Sequence, residues 1–224
     1  TNLGYDYSDQ PRTVSGAHTG SFTYDGNLKR VKQIVDGETI YSVYSQAGTV
    51  LHRHNITSGK RVSFIQLGGK SIAEVTTSGA ATYFHNDHLG SPISSTNAAG
   101  TISWREQYTP FGEALESDAA HEDSIGFTGH IEDSTGLTYM QARYYDPVIG
   151  RFLSIDPVEF SPERPDMFNR YAYAGNDPVN MLDPTGMLAC ESGACDIKID
   201  ATTTTTKSNS SGSETHTRTE TSGT

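Results

Sequence analysis

Eight histidines, two cysteines and four Asp-Pro pairs are the residues of this 224-residue chain with the chemistry to hold a metal, form a redox pair or move a proton. His52-Arg53-His54 puts two imidazoles on one face of a strand, and His85-Asn86-Asp87-His88 adds a carboxylate. A zinc site needs three or four converging ligands. No third and fourth ligand cluster at that spacing, so no metal is expected, and the His85–His88 side chains are read as bonding turn backbone. Cys190 and Cys195 are spaced wrongly for a thioredoxin-like pair or a zinc ribbon. A local disulfide or two inert thiols are the alternatives. Ser, His and Asp are plentiful, but neither a Gly-x-Ser-x-Gly elbow nor a phosphate-cradling glycine loop is present, and no cofactor is expected. Asp-Pro recurs at 146–147, 156–157, 177–178 and 183–184. Proline fixes φ and removes a donor, while aspartate bonds the backbone ahead of it, so each pair marks a sharp turn.

Whatever chemistry these residues do must be positioned by β-structure. The chain is only 34% apolar, yet it holds 12 Tyr, 8 Phe and 22 Gly. That balance favours short twisted strands with aromatic packing over a helical core. A net charge of −11 argues against nucleic acid, whose phosphates need clustered Lys and Arg. No stretch approaches the roughly 18 apolar residues of a membrane span. Residue 1 is Thr, with no charged-then-apolar leader, so a piece of a longer protein is expected, with any signal peptide upstream of it.

The aromatics Tyr5, Tyr24, Tyr44, Phe64, Phe84 and Trp104 follow one another at gaps of 19, 20, 20, 20 and 20 residues. Behind them stand Gly26, Gly48, Gly68, Gly90 and, more distantly, Gly112. The pattern reads as strand, glycine turn, strand. Residues 31–35 and 61–67 are the clearest strands. A single hairpin cannot bury its apolar face, so the units must stack into a continuous sheet. From about Gly126 the texture changes to short strands broken by Asp-Pro turns: Gly126–Gly129, Leu137–Tyr145 and Arg151–Ser154. Phe168–Gly175 is expected to form a short helix ended by its glycine. Residues 201–224 are nearly all Thr, Ser, Gly and scattered charge, and are expected to be disordered or a linker.

Tyr24-Asp25-Gly26-Asn27-Leu28 resembles the YD repeat, and His85-Asn86-Asp87-His88-Leu89-Gly90-Ser91-Pro92 resembles its variant just before the terminal core. Arg143-Tyr144-Tyr145-Asp146-Pro147 through Gly150-Arg151-Phe152, then Ser154-Ile155-Asp156-Pro157, is similar to the Rhs repeat-associated core. So are Asn169-Arg170-Tyr171-Ala172-Tyr173, Asn176-Asp177-Pro178-Val179-Asn180 and Asp183-Pro184-Thr185-Gly186. The resemblance covers roughly residues 20–187. It implies YD repeats over 1–112, the core over 113–187 and a variable segment over 188–224. The implied fold is mainly β: tandem hairpins forming part of a spiralling shell, closed by a core with Asp-Pro turns.

The resemblance also implies a function. Rhs proteins and the C subunits of insecticidal toxin complexes enclose a C-terminal toxin, and in the best-understood members the core cuts the chain after its Asp-Pro-x-Gly motif. Carried over by motif, the catalytic aspartates are Asp156 and Asp183, the basic residue is Arg143, and the scissile bond joins Met187 to Leu188. One carboxylate would activate water while the other supplies the proton. Glu163-Arg164-Pro165-Asp166-Met167 stands where a common branch of the family has a Gly-Gly-x-Asn segment. The implied partners are upstream repeats, a toxin cargo, secretion machinery and an immunity protein, in a secreted or cell-surface bacterial setting. The 37 residues after the expected cut are too few and too polar for a toxin enzyme. The alternative is a structural or surface protein whose core only caps the sheet.

Overall fold

The computed structural model describes residues 2–116, 124–159, 162 and 168–191, together with the backbone of 202–209 and 212–219. Residues 163–167, singled out above, lie outside that set. The first eleven strands are β1 (Asn2–Tyr5), β2 (Pro11–Ser15), β3 (Gly20–Tyr24), β4 (Arg30–Val35), β5 (Glu38–Tyr44), β6 (Val50–Asn55), β7 (Arg61–Leu67), β8 (Lys70–Thr76), β9 (Ala81–Asn86), β10 (Pro92–Asn97) and β11 (Ile102–Arg105). They form one sheet in strict chain order, each antiparallel to the next. The twenty-residue period is therefore two strands. Its aromatics fall on β1, β3, β5, β7, β9 and β11, where Phe64, Phe84 and Trp104 are buried and the Phe84 and Trp104 rings pack at 6.0 Å.

The turns follow a rule that glycine alone does not reveal. An Asx, Ser or Thr opens the turn, and the amide three residues on bonds its carbonyl. This holds for Leu28 on Asp25, Gly48 on Ser45, Gly79 on Thr76, Gly90 on Asp87 and Gly100 on Asn97. The fourth residue is left-handed in each case. Where the first residue is Asp25, Asp87 or Asn97, its Oδ1 also accepts the amides two and four residues ahead, at 2.8–3.0 Å. The first of these turns departs from the glycine expectation. Leu28, at φ 58, takes the left-handed position and Gly26 does not.

Beyond the sheet, β12 (Gln107–Tyr108) pairs with β13 (Ala114–Glu116), and β14 (Ile131–Glu132), β15 (Thr138–Met140), β16 (Arg143–Asp146) and β17 (Arg151–Phe152) form a four-stranded meander. The run Leu137–Tyr145 is thus a hairpin with a tight turn at Gln141, whose φ is 57. The inner face of the sheet packs on this meander. Phe22, Val50, Val62 and Trp104 share a core with Ile131, Tyr139 and Tyr144. A buried ion pair crosses the same interface: Arg30, at the start of β4, pairs with Asp133, bonds the Tyr144 hydroxyl, and stacks 4.3 Å from the Tyr139 ring.

Two expectations fail here. Gly126–Gly129 is not a strand; Phe127–Gly129 is a 3-10 turn with Thr128 left-handed. Phe168–Gly175 is not a helix, and the described residues contain no α-helix at all. The carbonyls of Arg170 and Tyr171 instead receive the amides of Asp156 and Phe152, Ala172 bridges Arg151, and only Ala174–Asn176 winds into a 3-10 turn. Those long-range bonds replace the ones a helix would make within itself. A last pair, β18 (Met181–Leu182) with β19 (Cys190–Glu191), flanks the Asp183–Gly186 turn, and Cys190 is disulfide-bonded.

Residues 194–224 form a separate unit. Within it β20 (Thr202–Asn209) and β21 (Gly212–Thr219) make an antiparallel hairpin. Runs of β-branched threonine favour extended backbone even without a core to bury.

Candidate functional site: two aspartates on one arginine

The meander delivers Arg143 at the first position of β16, where its side chain is buried. Its guanidinium lies over the Phe152 ring, 3.6 Å from the centroid, which removes water from one face and fixes the plane. In that plane every nitrogen is engaged. Nε donates to the Gly186 carbonyl, Nη1 to the Arg170 carbonyl at 3.1 Å, and Nη2 reaches both Asp156 Oδ2 at 2.8 Å and Asp183 Oδ2 at 3.2 Å. The two aspartates, 27 residues apart in sequence, therefore meet across one nitrogen.

Asp183 occupies the first position of a turn that shares the side-chain bonds of the Asp25, Asp87 and Asn97 turns, though not their backbone bond from the fourth residue. Its Oδ1 accepts the amides of Thr185 at 3.4 Å and Met187 at 3.0 Å, two and four residues ahead, and Gly186 is left-handed at φ 70. A further bond has no counterpart in the Asp25, Asp87 or Asn97 turns: the Leu188 amide also donates to Oδ1, at 3.0 Å. Gly186 is obligatory on a second count, because a Cβ there would run into the Met140 carbonyl.

Asp156 is held from the other side. Its Oδ1 accepts the Val158 amide at 2.8 Å, its own amide bonds the Arg170 carbonyl at 3.1 Å, and Arg170 donates to its carbonyl. Burial pushes the Asp156 carboxyl above the usual range; Arg143 and the Val158 amide oppose the shift and Asp183 adds to it. Burial likewise draws Arg143 down, against the pull of both carboxylates. A cleft of about 40 Å3, lined by Arg143, Asp156, Asp183, Met187 and Leu188 among others, has room for a water molecule.

The other candidates resolve differently. Asp146 Oδ1 accepts the amides of Val148 and Ile149, and Asp177 is bonded by Asn180, so both are turn-formers. His52 meets Ser63, His54 meets Arg61, and His85 meets Thr96, each across neighbouring strands. Asp87 caps its own turn. Among the described residues no group of three or more His, Cys, Asp or Glu could hold a metal ion.

Sequence reasoning missed what surrounds the Asp183 turn. His130 is buried and bonds the Pro184 carbonyl through Nε2 at 3.3 Å and Thr128 Oγ1 through Nδ1 at 3.1 Å. Burial lowers its pKa; nearby Asp183 opposes that. Because a carbonyl only accepts, Nε2 must carry the proton and Nδ1 must accept from Thr128. Gln141 Nε2 donates to the same Pro184 carbonyl at 2.8 Å. The only local signal for either residue was its place beside a turn.

The model of the teneurin YD-shell family matches residues 5–179, which takes in β2 to β11 of the repeat sheet, Arg143 and Asp156. The chain belongs to the YD-shell family. Among curated proteins it is 30% identical over 177 residues to the double-stranded DNA deaminase toxin A of Burkholderia cenocepacia, covering 76% of this chain and 12% of that protein. It is 28% identical over 171 residues to the tRNA3(Ser)-specific nuclease WapA of Bacillus spizizenii, covering 74% and 7%. Among solved structures it is similar to the Photorhabdus luminescens Tc holotoxin pore carrying the TccC3-D651A mutation, with a TM-score of 0.66 at 23% identity over 88% of this chain and 10% of that one. The chain thus spans about a tenth of the length of such relatives. Their likeness makes it a segment of an Rhs-type YD shell, in keeping with the sequence motifs. Among the described residues no helix is long and apolar enough to cross a membrane.

Proposed function

We propose that this YD-shell segment is the end of a toxin-enclosing shell that cuts itself once, between Met187 and Leu188, through the Asp156–Asp183 pair. The observation that carries the reading is the Leu188 amide on Asp183 Oδ1, in a turn whose other carboxylate oxygen shares Arg143 Nη2 with Asp156. A cap that only closes the sheet would need the turn, as Asp25 and Asn97 do, but not the second aspartate.

The chemistry divides by position. Asp156, whose burial favours its protonated form, gives its proton to the Met187 carbonyl oxygen as water attacks the carbon. Asp183 takes the proton from that water and passes it to the Leu188 nitrogen, 3.0 Å from Oδ1. The carbon–nitrogen bond breaks, the proton on the former carbonyl oxygen returns to Asp156, and the products are a Met187 carboxyl and a Leu188 amine. Arg143 holds both acids and the Gly186 carbonyl in register throughout.

In the full protein, upstream repeats would continue the sheet at β1, and the cargo would follow residue 188 as the variable part does in Rhs toxins. The nuclease and deaminase names of the relatives place such activities in those proteins; secretion machinery and an immunity protein would complete the setting, secreted or on a bacterial surface. The test is the mass of the expressed chain. Loss of residues 188–224, abolished by Asp156→Asn and by Asp183→Asn, supports self-cleavage. A chain intact across the acidic and neutral range leaves only the structural cap.

A further inference from the structure

The hairpin tip between β15 and β16 touches the repeat sheet on one side and the Asp183 turn on the other. Lys29, half-buried beside the Asp25 turn, donates from Nζ to Gln141 Oε1, and Gln141 Nε2 donates onward to the Pro184 carbonyl at 2.8 Å. Alongside, Gln10 Nε2 donates to the Ala142 carbonyl at 2.9 Å while the Ala142 amide donates to the Thr185 carbonyl at 3.1 Å. Gly48 leaves the space open: a Cβ there would occupy the position of Gln141 Oε1. Two parallel relays therefore run from repeat turns, through one left-handed glutamine and its neighbour, to the carbonyls of Pro184 and Thr185 on two consecutive peptides.

Several features argue against incidental packing. Gln141 is 8% exposed, and it adopts φ 57, a conformation that costs a non-glycine residue energy and needs surrounding contacts to hold it. Its amide is used at both ends, as acceptor toward the sheet and donor toward the turn, so its orientation is fixed only when Lys29 is in place. The Pro184 carbonyl is the next backbone acceptor after Asp183, whose Oδ1 holds the Met187 and Leu188 amides.

We infer that Gln141 is a positioning residue that couples the seating of the repeat sheet to the geometry of the Met187–Leu188 bond, so that cleavage waits until the repeats have docked on the core. This rests on the self-cleavage reading for its consequence, though not for the coupling itself. Without Lys29, Gln141 loses the partner that orients its amide, the Pro184 carbonyl loses the shorter of its two donors and keeps only His130, and the turn presents Leu188 to Asp183 for a smaller fraction of the time.

The experiment uses the full chain with Lys29→Met, Gln141→Met and the exchanged pair Lys29→Gln with Gln141→Lys, in which a lysine still donates to Pro184. Two readouts are taken: the rate of cleavage by mass, and hydrogen exchange of the Met187 and Leu188 amides in an Asp156→Asn background that keeps the chain whole. Each single change is expected to slow cleavage and speed exchange by roughly tenfold, the scale of one net hydrogen bond, with the exchanged pair returning both toward the parent. The melting temperature should not track these effects. Faster exchange in a chain that never cuts keeps the coupling and removes the self-cleavage reading. Unchanged exchange in Lys29→Met, or an exchanged pair that behaves like the single changes, overturns the inference whether or not the chain cuts.

Discussion

Asp183 Oδ1 receives the Leu188 amide at 3.0 Å in a turn that shares with the Asp25 and Asn97 turns an Oδ1 accepting the amides two and four residues ahead. A turn of the sheet has thus been extended by one hydrogen bond and joined to a second carboxylate through Arg143. Because Asn97 fills the same first position, Asp183→Asn keeps an acceptor for all three amides. It is expected to abolish cleavage at a smaller cost in stability than Asp183→Ala, because Asp156 still meets the Arg143 charge. Asp183→Ala strands those amides and should cost about 1–3 kcal/mol. Urea denaturation of both variants, beside the mass assay, separates the two effects; equal destabilisation would mean that the carboxylate is structural.

The pH dependence has a definite sign. Burial holds the folded Asp156 carboxyl above its ordinary 3.8. A carboxyl raised in this way stabilises the fold while protonated. That contribution is complete below 3.8 and is lost as pH rises through the raised folded value. Asp156→Asn, permanently neutral, should lack that loss, so its melting temperature gains on the parent across the window. The cleavage rate of the parent should peak where the pair holds one proton and fall on either side. A rate rising steadily into alkaline pH would rule out the pair.

The twenty-residue period was legible because its aromatics recur on every second strand of one sheet, with Phe64, Phe84 and Trp104 buried and Tyr24 and Tyr44 packed against the same core, so one physical demand recurs along the chain. The meander and the Asp-Pro turns were legible as motifs for a similar reason. What stayed hidden depends on contacts made across the fold. Gln141 is left-handed at the first position of a two-residue hairpin loop, held by Lys29 and Pro184 from distant parts of the chain, and nothing inside Leu137–Tyr145 marks that break. Phe168–Gly175 has helical texture, but Phe152, Asp156 and Arg143 take its carbonyls. Three residues as distant as Arg143, Asp156 and Asp183 could be nominated by motif, yet their meeting on one nitrogen is a property of the folded chain.

The Arg30–Asp133 pair gives a test of how sheet and core are joined. Both side chains are almost wholly buried. Removing one partner leaves a buried charge, so Arg30→Met or Asp133→Leu alone should cost about 3–5 kcal/mol. The double change removes both charges and should recover most of that loss, apart from the bond to the Tyr144 hydroxyl, which only the Arg30 guanidinium makes. Equilibrium unfolding of the three variants in the Asp156→Asn chain measures it. Additive costs would show that the two charges do not interact.

Leu28 supplies a stabilising change. It sits at φ 58, where Gly48, Gly79, Gly90 and Gly100 stand in equivalent turns, and its side chain is 43% exposed. Left-handed backbone costs a residue with a Cβ roughly 1–2 kcal/mol. Leu28→Gly removes that strain and gives back about 0.5–1 kcal/mol through the freer unfolded chain. The exposed leucine has little burial to lose, so the variant should be more stable by up to about 1 kcal/mol, read as a higher urea midpoint at unchanged slope. A lower midpoint would mean that Leu28 makes an apolar contact worth more than the strain it carries.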